Sequence, residues 1–313
     1  MSQPFHVLGP VRHACTGCGG CCHGVVVFLN LEEAARVRGF AAAAGQPDPV
    51  VDRRLAFADG LCPFQGEDEL CRLHTQHGLE AKPLLCQQYP LVLTRTEQGL
   101  RAGVDPGCYD GWKSWDEGPL LDARSGAVEP RKLSPKAARH EDKVLDLLQL
   151  EGLTVGRLAC FLADEPAAQP AALPAAFARR LVERVIAAGL STRMSPQVSG
   201  VMLHRVLSPA LQAAEALDPS ALPPWPVLGP REEAFAVSMI RRMVFLRLVP
   251  GVAVPPAVAV LGVIGAVVCA WHDPSPQAFG RALAGWCRVM RAPAFLDAMA
   301  PDPASLINLA TGR

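Results

Sequence analysis

The sequence predicts an α+β protein in which a small cysteine-rich domain with short strands and helices, residues 1–120, precedes an all-α helical domain, residues 134–313. Three observations support this prediction. Most of the eleven cysteines fall before residue 109. Short β-branched runs and turn signals alternate there with short helical patterns. After about Leu133, Ala and Leu dominate and helix-start signals recur. Half of the 313 residues are hydrophobic, which is ample for a packed core.

Short elements are predicted for the first 120 residues. Apolar and β-branched runs bounded by turn signals predict strands. The predicted strands cover residues 24–29, 53–57, 91–96 and 100–104. Asn30 and Glu33 form a capping-box pattern, which predicts a helix reaching about Ala43. Pro83 predicts the start of a one- or two-turn helix that Pro90 stops.

Local patterns also place two cysteines of this region. Asp59-Gly60 signals a tight turn that brings Cys62 to the start of a strand. The polar stretch between Cys62 and Cys71 predicts a hairpin, because leucines alternate with polar positions at its end. Trp112 and Trp115 are expected to close the cysteine-rich domain by packing over it.

Residues 134–313 predict a bundle of roughly seven or eight helices. Ser-Pro pairs, with Ser as the cap and Pro in the first turn, predict helix starts at residues 134, 195 and 275. Pro230 predicts another start, and apolar residues follow it at helical spacing. Residues 252–271 are apolar and long enough to cross a bilayer. Pro255 and Pro256 shorten the helical part, and no aromatic belt or basic flanks bracket it. We therefore expect a buried core helix rather than a membrane span.

Charge and cysteine usage limit the compartment and the partners. Lys plus Arg and Asp plus Glu both number 30, so the net charge does not indicate a nucleic acid or an anionic membrane as partner. The first residues lack the charged and then apolar pattern of an export signal. Many cysteines without such a signal indicate a reducing compartment and metal binding rather than disulfides. A cytoplasmic location is expected.

The densest pattern is C-T-G-C-G-G-C-C at residues 15–22. Four thiols in eight residues are too dense for a core and too tight for a disulfide ladder. Two-residue spacing lets the loop curl so that the sulfurs point at one centre, as a soft metal ion or an iron–sulfur cluster requires. The intervening glycines supply positive φ angles. Four further cysteines lie beside turns or prolines. The predicted metal ligands are Cys15, Cys18, Cys21, Cys22, Cys62, Cys71, Cys86 and Cys108.

Other side chains near these cysteines have weaker signals. Four histidines could complete a zinc site, orient a ligand, or simply lie at the surface. They are His13, His23, His74 and His77. Tyr89 and Arg72 lie next to predicted ligands and are candidates to donate hydrogen bonds to thiolates. The remaining cysteines lie in apolar helical contexts and are expected in the core. They are Cys160, Cys269 and Cys287.

The order of these motifs carries a resemblance. C-x-x-C-x-x-C-C, then C-P-F…C-R-L-H, then K-P-x-x-C-x-x-Y-P, over residues 15–90, resembles the CxxCxxCC cysteine-cluster family, described as zinc- or iron-chelating. With Cys108 the pattern covers about a third of the chain. The same core is similar to that of the flagellin lysine N-methylases. That resemblance implies an iron–sulfur cluster and methyl transfer from S-adenosylmethionine to protein lysines. Leu91 follows Tyr89-Pro90 where the methylases usually carry Arg.

Three functions follow from these observations. Zinc and iron–sulfur clusters both accept four thiolates, and the methylase resemblance favours an iron–sulfur cluster of the 4Fe-4S type. The first function is metal binding, with the helical domain recognising a partner protein or stabilising the fold. The second is an S-adenosylmethionine-dependent protein lysine N-methyltransferase. The third is an interaction module stapled by zinc. No G-x-S-x-G, Walker loop, H-E-x-x-H or G-x-G-x-x-G is present, so hydrolytic and Rossmann-type sites are not indicated.

Overall fold

The computed structural model describes most of the chain and confirms the α+β fold. Apart from isolated positions, the described residues are 4–8, 11–22, 27–57, 61–121, 128–162, 226–249, 255–291 and 295–297. The strands are β1 (Phe5–Val7), β2 (Val50–Val51), β3 (Arg54–Leu55), β4 (Leu91–Thr96), β5 (Gly99–Val104) and β6 (Val128–Pro130). The helices are α1 (Leu31–Ala43), α2 (Arg72–His77), α3 (Leu84–Gln88), α4 (Pro135–Leu147), α5 (Val155–Leu162), α6 (Pro230–Phe245), α7 (Pro255–His272) and α8 (Pro276–Val289). Predictions outside the described residues concern part of the strand at 24–29, His23, the turn at 59–60 and the helix start at 195.

Four strands, all within residues 5–130, form a sheet with the order β1-β5-β4-β6. The predicted hairpin is confirmed, because β4 and β5 pair antiparallel from Leu91 opposite Val104 to Thr96 opposite Gly99. β1 pairs parallel with β5, and β6 pairs parallel with β4. These two outer strands were not predicted, since three residues are too short to show an alternating pattern.

The strand predicted at residues 53–57 is present but shorter, as β3 (Arg54–Leu55), and it pairs with the unpredicted strand β2. Val50 pairs with Leu55, and the turn between the strands holds Asp52 and Arg53 at φ 47° and 59°. Two positive φ angles are typical of the hairpin turns that match strand twist. The partner strand was missed because neither turn residue is the glycine or asparagine that usually marks such a turn.

The capping box of α1 is confirmed and also reaches a second helix. The Glu33 backbone N–H donates to Asn30 Oδ1, and the Asn30 N–H donates to Glu33 Oε2, both at 2.8 Å. A cap of this kind stabilises by about 1 kcal/mol. The other carboxylate oxygen of buried Glu33 accepts from the Leu84 N–H in the first turn of α3, at 2.8 Å. One side chain therefore fixes the starts of both helices.

The central helix of the helical half is α7, which packs against α4, α5, α6 and α8. Its length and composition alone would suit a membrane crossing, but 83% of its apolar window is buried inside the protein. Trp286 of α8 is fully buried, and its Nε1–H donates to the Leu261 carbonyl at 2.9 Å. Gly265 makes this packing feasible, because a Cβ there would collide with the indole ring.

A buried ion network fastens the sheet to the helices; its members are Glu97, Arg101, Glu141 and Arg247. Glu141 is fully buried and accepts from Arg101 Nη2 at 2.8 Å and from Arg247 Nε at 2.9 Å. Arg247 also donates to Glu97, at 2.5 Å. The boundary predicted between residues 120 and 134 remains a prediction, and this network crosses it.

Trp112 and Trp115, which were expected to pack over the cysteine-rich domain, pack against the helical half instead. The Trp115 ring lies 5.7 Å from the Phe235 ring of α6, and Trp112 packs against Gly280 of α8. The expectation that they cover the cysteine-rich domain was therefore wrong. Large aromatic side chains gain most by burying apolar area, and the apolar faces of α6 and α8 offer it.

Candidate metal centre

Five of the eight predicted ligands line one cavity of about 50 Å³, which we call the thiol cavity. Its cysteines are Cys21, Cys22, Cys62, Cys71 and Cys86. Apolar side chains form most of the remaining wall, including Val27, Leu55, Phe57, Phe64, Leu73 and Leu85. Lys82 and Tyr89 complete it. The thiols come from three segments that are far apart in sequence, so the fold assembles them rather than the local spacing alone.

The first segment is a tight loop ending in a short 3-10 turn at Gly20–Cys22. The Cys22 N–H donates to the Gly19 carbonyl at 2.8 Å. Gly17 and Gly19 have φ angles of 69° and 66°, which confirms the expected positive φ at these two positions. Gly20 does not share it, because it begins the 3-10 turn. A Cβ on Gly19 would lie within 2.9 Å of Glu69 atoms, so glycine also permits the loop to approach the next cysteine segment.

The second segment carries Cys62 and Cys71 on the two sides of a compact turn. The Gln65 N–H donates to the Cys62 carbonyl at 3.0 Å, and Gln65 forms a β-bridge with Cys71. The predicted hairpin is therefore right as far as Cys71. It is wrong beyond that point, because α2 begins at Arg72 and buries Leu73 at helical spacing.

The third segment places Cys86 within α3. The Cys86 N–H donates to the Pro83 carbonyl at 2.9 Å, which confirms the predicted start of this helix. Gln87 Nε2 donates to the Lys82 carbonyl at 2.6 Å and so fixes the backbone that precedes the helix. The helix ends at a cis Tyr89–Pro90 peptide, and the Tyr89 ring then lines the thiol cavity.

The other three predicted ligands lie outside the thiol cavity. Cys108 is buried, and Cys18 is close enough to raise the pKa of the Cys108 thiol, after the larger effect of burial. Cys15 is exposed. The structure therefore brings five cysteines together, places two others as a neighbouring pair, and leaves one at the surface.

Histidines do not join the thiols in the part of the chain that the structure describes. His74 and His77 are exposed on α2, and the His77 ring stacks on Phe40 at 4.4 Å between centroids. His13 is buried, and its pKa is lowered by burial and by the charge of Arg242, which lies in the helical half. None of these three side chains lines the thiol cavity.

Arg72 acts on the backbone near a thiol rather than on a sulfur. Its Nη2 donates to the Pro63 carbonyl at 2.6 Å, next to Cys62. The expectation of a hydrogen bond from Arg72 to a thiolate was therefore wrong. A guanidinium prefers a carbonyl oxygen to a sulfur because oxygen is the stronger acceptor. Arg72 thus fixes the turn that presents Cys62.

The adjacent thiols of Cys21 and Cys22 lie 4.0 Å apart, sulfur to sulfur. A hydrogen bond from Cys22 lowers the pKa of Cys21 to about 6, against the effect of burial, and the charges of Lys82 and Arg288 assist. The pKa of Cys22 is raised because its proton is used in this bond and because it is buried.

Burial dominates the other thiols. It raises the pKa of Cys62 to about 11, although the Phe64 backbone N–H donates to this thiol and opposes the shift. It raises the pKa of Cys86 to about 12. A metal ion binds the thiolate form, so binding here displaces protons and neutralises charge that apolar walls would otherwise disfavour.

The thiol cavity has the donor chemistry of a zinc or iron site. All five candidate donors are thiols, which soft and borderline metals prefer. The 4.0 Å separation of the first two sulfurs is close to the roughly 3.8 Å between thiolates on a tetrahedral zinc ion with 2.3 Å bonds. Among the described residues, no three Cys, His, Asp or Glu side chains already converge on one point. The five thiols share the walls of the cavity.

Two cationic residues of the site were not found from the sequence. Lys82 lines the thiol cavity, and its place in the K-P-x-x-C motif was the available signal. Arg288 of α8 donates to the Gly20 carbonyl at 2.9 Å, beside Cys21. No local pattern links Arg288 to the cysteines, because they are far apart in sequence.

Comparison with known proteins gives one match. Residues 14–108 match the model of the CxxCxxCC family, whose description is "Putative zinc- or iron-chelating domain". The match begins one residue before Cys15 and ends at Cys108, and so contains every predicted ligand. No curated protein and no solved structure matches the chain.

Proposed function

Because residues 14–108 of this chain form a CxxCxxCC domain, we propose that the protein binds a single zinc or iron ion in the thiol cavity. The proposal is carried by one observation, the meeting of five thiols from three distant segments at one cavity. Four of these five would be ligands, as a tetrahedral thiolate site requires. They would be drawn from Cys21, Cys22, Cys62, Cys71 and Cys86.

The spacing of the adjacent sulfurs supports a single ion more than a cubane cluster. Cys21 and Cys22 lie 4.0 Å apart, sulfur to sulfur, close to the roughly 3.8 Å between two thiolates on one tetrahedral ion. The thiolates of a 4Fe-4S cluster bind different iron atoms, so their sulfurs would lie farther apart. The nearby Cys18 and Cys108 are then spare thiols of the domain rather than ligands of this ion.

The surrounding residues would have three roles. Lys82 and Arg288 place positive charge beside a site whose four thiolates exceed the charge of a divalent ion. The Phe64 N–H donates to Cys62 and orients its sulfur. The apolar walls exclude water, which protects the metal–thiolate bonds from exchange. A thiolate site of this kind requires a reducing compartment, which supports the cytoplasmic location that we propose.

Metal analysis of matched cysteine variants tests the ligand assignment. We expect the wild-type chain, purified without oxygen, to hold about one ion of zinc or iron. Among single Ser variants of the five cavity cysteines, the four at ligand positions should lose most of it, because a neutral hydroxyl is a poor ligand for these metals. Cys269→Ser makes the same change at a fully buried thiol of α7 and should keep the metal. Metal content equal to that of Cys269→Ser in all five cavity variants would refute the assignment.

Visible absorption separates zinc from iron in the same samples. A colourless protein with stoichiometric zinc supports a single structural ion. Iron without sulfide supports a mononuclear iron site, and iron with sulfide and a broad absorption band indicates a cluster. The methyl transfer implied by the methylase resemblance stays a prediction, and an assay for S-adenosylmethionine-dependent lysine methylation tests it separately.

A further inference from the structure

Helix α8 and the turn that follows it direct three arginines toward the cysteine-bearing loops, and we call this row the arginine face. Arg281 and Arg288 lie in α8, and Arg291 lies two residues after its end. A spacing of seven residues places Arg281 and Arg288 on one side of the helix. Arg288 Nε donates to the Gly107 carbonyl at 2.6 Å, and its Nη1 donates to the Gly20 carbonyl at 2.9 Å. One guanidinium therefore joins two loops that the chain places far apart.

The two carbonyl acceptors of Arg288 each lie beside a cysteine of the metal domain. Gly20 precedes Cys21, and Gly107 precedes Cys108. The third acceptor is the Tyr89 hydroxyl, at 3.2 Å from Nη2, and Tyr89 lines the thiol cavity. A Cβ on Gly107 would lie 2.8 Å from the Arg288 side chain, so glycine is needed for this approach. A forked, planar guanidinium suits three acceptors in different directions.

The other two arginines hold the same loops. Arg291 binds Asp105 through two hydrogen bonds, of 2.5 and 2.9 Å, and Asp105 in turn accepts from the Gly107 N–H at 2.7 Å. Arg281 donates to Asp110 at 2.9 Å, and Asp110 accepts from Thr16 in the first cysteine loop at 3.0 Å. The arginine face thus fixes the backbone on both sides of the predicted ligands.

The opposite side of α8 belongs to the helical core. Trp286 and Phe279 are buried there, and Trp286 is bonded to α7. The same helix therefore contacts the cysteine loops with one face and the helical core with the other. A ligand that orders the loops must stabilise the docking of α8, and a well-docked α8 must raise affinity for that ligand, since linkage is reciprocal.

We infer that Arg288 is a positioning residue of the metal centre and couples metal binding to the packing of the helical half. This inference rests on the proposed function. On this view the cysteine-rich region is not a self-sufficient chelator. Its affinity for the metal depends on a side chain from the C-terminal helices, and metal binding stabilises the packing of those helices through α8.

Hydrogen–deuterium exchange of the full chain tests the coupling directly. Wild-type protein is compared with and without Zn²⁺, or Fe²⁺ under anaerobic conditions if it purifies with iron. We expect the metal to slow exchange in α8 as well as in the cysteine loops. Arg288→Met should still bind the ion, with affinity reduced about 10- to 100-fold as for other groups that orient metal ligands. In this variant the metal should no longer slow exchange in α8.

Two further variants separate positioning from general stability. Arg288→Lys keeps the charge without the fork and should lie between wild type and Arg288→Met in chelator-competition affinity. Arg247→Met removes another buried arginine, one remote from the thiols, and should leave the affinity unchanged. Wild type that binds neither metal refutes the proposed function. Normal binding without an effect on α8, or equal losses in Arg247→Met and Arg288→Met, refutes the coupling alone.

Discussion

Replacing Glu141 by Gln tests whether the sheet and the helices unfold as one unit. Glu141 is fully buried and accepts three hydrogen bonds from the guanidinium groups of Arg101 and Arg247. Gln keeps the shape but removes the charge and turns a donor toward a guanidinium. Removing one partner from a buried ion pair costs about 3–5 kcal/mol. Arg101 and Arg247 keep other acceptors, so we expect a value near 3 kcal/mol.

Urea unfolding measures this loss with two probes. With a slope of roughly 1–3 kcal/mol per molar urea, the midpoint should fall by about 1–3 M. Far-UV circular dichroism follows the helices, and tryptophan fluorescence follows the tertiary packing around all five tryptophans, Trp112 and Trp115 at the junction among them. Both transitions should move together. The same change at exposed Glu151 should alter stability by less than about 0.5 kcal/mol. A loss below about 1 kcal/mol for Glu141→Gln, or transitions that separate, would contradict the reasoning.

Three further predictions use the same equilibrium methods. Gly265→Ala should lower the unfolding free energy by about 2 kcal/mol, since overpacking against Trp286 outweighs the better helix propensity of Ala. Gly39→Ala, whose new methyl group meets open space in α1, should instead raise the unfolding free energy by about 0.5–1 kcal/mol. Equal effects of the two substitutions would refute this account. Hydrogen bonds from its arginine partner lower the pKa of Glu97 from 4.5 to about 2. The stabilisation from the Glu97 carboxylate should therefore be complete above pH 4.5 and lost as the pH falls toward 2. Over this range the melting temperature of Glu97→Gln should converge on that of wild type. A constant difference between the two melting temperatures would contradict this prediction. Glu33→Ala should lower the unfolding free energy by about 2 kcal/mol and speed hydrogen exchange in the first turns of both α1 and α3. Faster exchange in α1 alone would mean that the hydrogen bond from Leu84 to Glu33 does not stabilise the start of α3.

Local chemistry explains the parts of the fold that were predicted. The box of Asn30 and Glu33, the proline start at Pro83 and the hairpin at residues 91–104 each depend on contacts within a few residues. The prediction of metal ligands also depends on local spacing, because four thiols in eight residues have few uses other than metal binding. Which of these cysteines bind a metal stays a prediction. The family match over residues 14–108 supports that interpretation.

Long-range contacts explain what was missed. The outer strands β1 and β6 exist only because a hairpin already offers free edges, and three residues carry no pattern of their own. The direction in which Trp112 faces depends on the position of α8. Arg288 and Gly20 are separated by 268 residues, so no local sequence pattern at either residue predicts their contact. Which five thiols share a cavity is likewise a property of the folded chain.

That separation also sets an order in time during synthesis. The loop at Gly20 leaves the ribosome long before Arg288 is made, and at roughly 5–20 residues per second the interval is some tens of seconds. During this interval the thiols exist without the guanidinium that fixes their backbone. The cysteine loops are thus among the first parts of the protein to be made and, because of their contacts with Arg288, among the last to reach their final arrangement. On the coupling that we infer, stable metal retention would be a late event in the maturation of the chain.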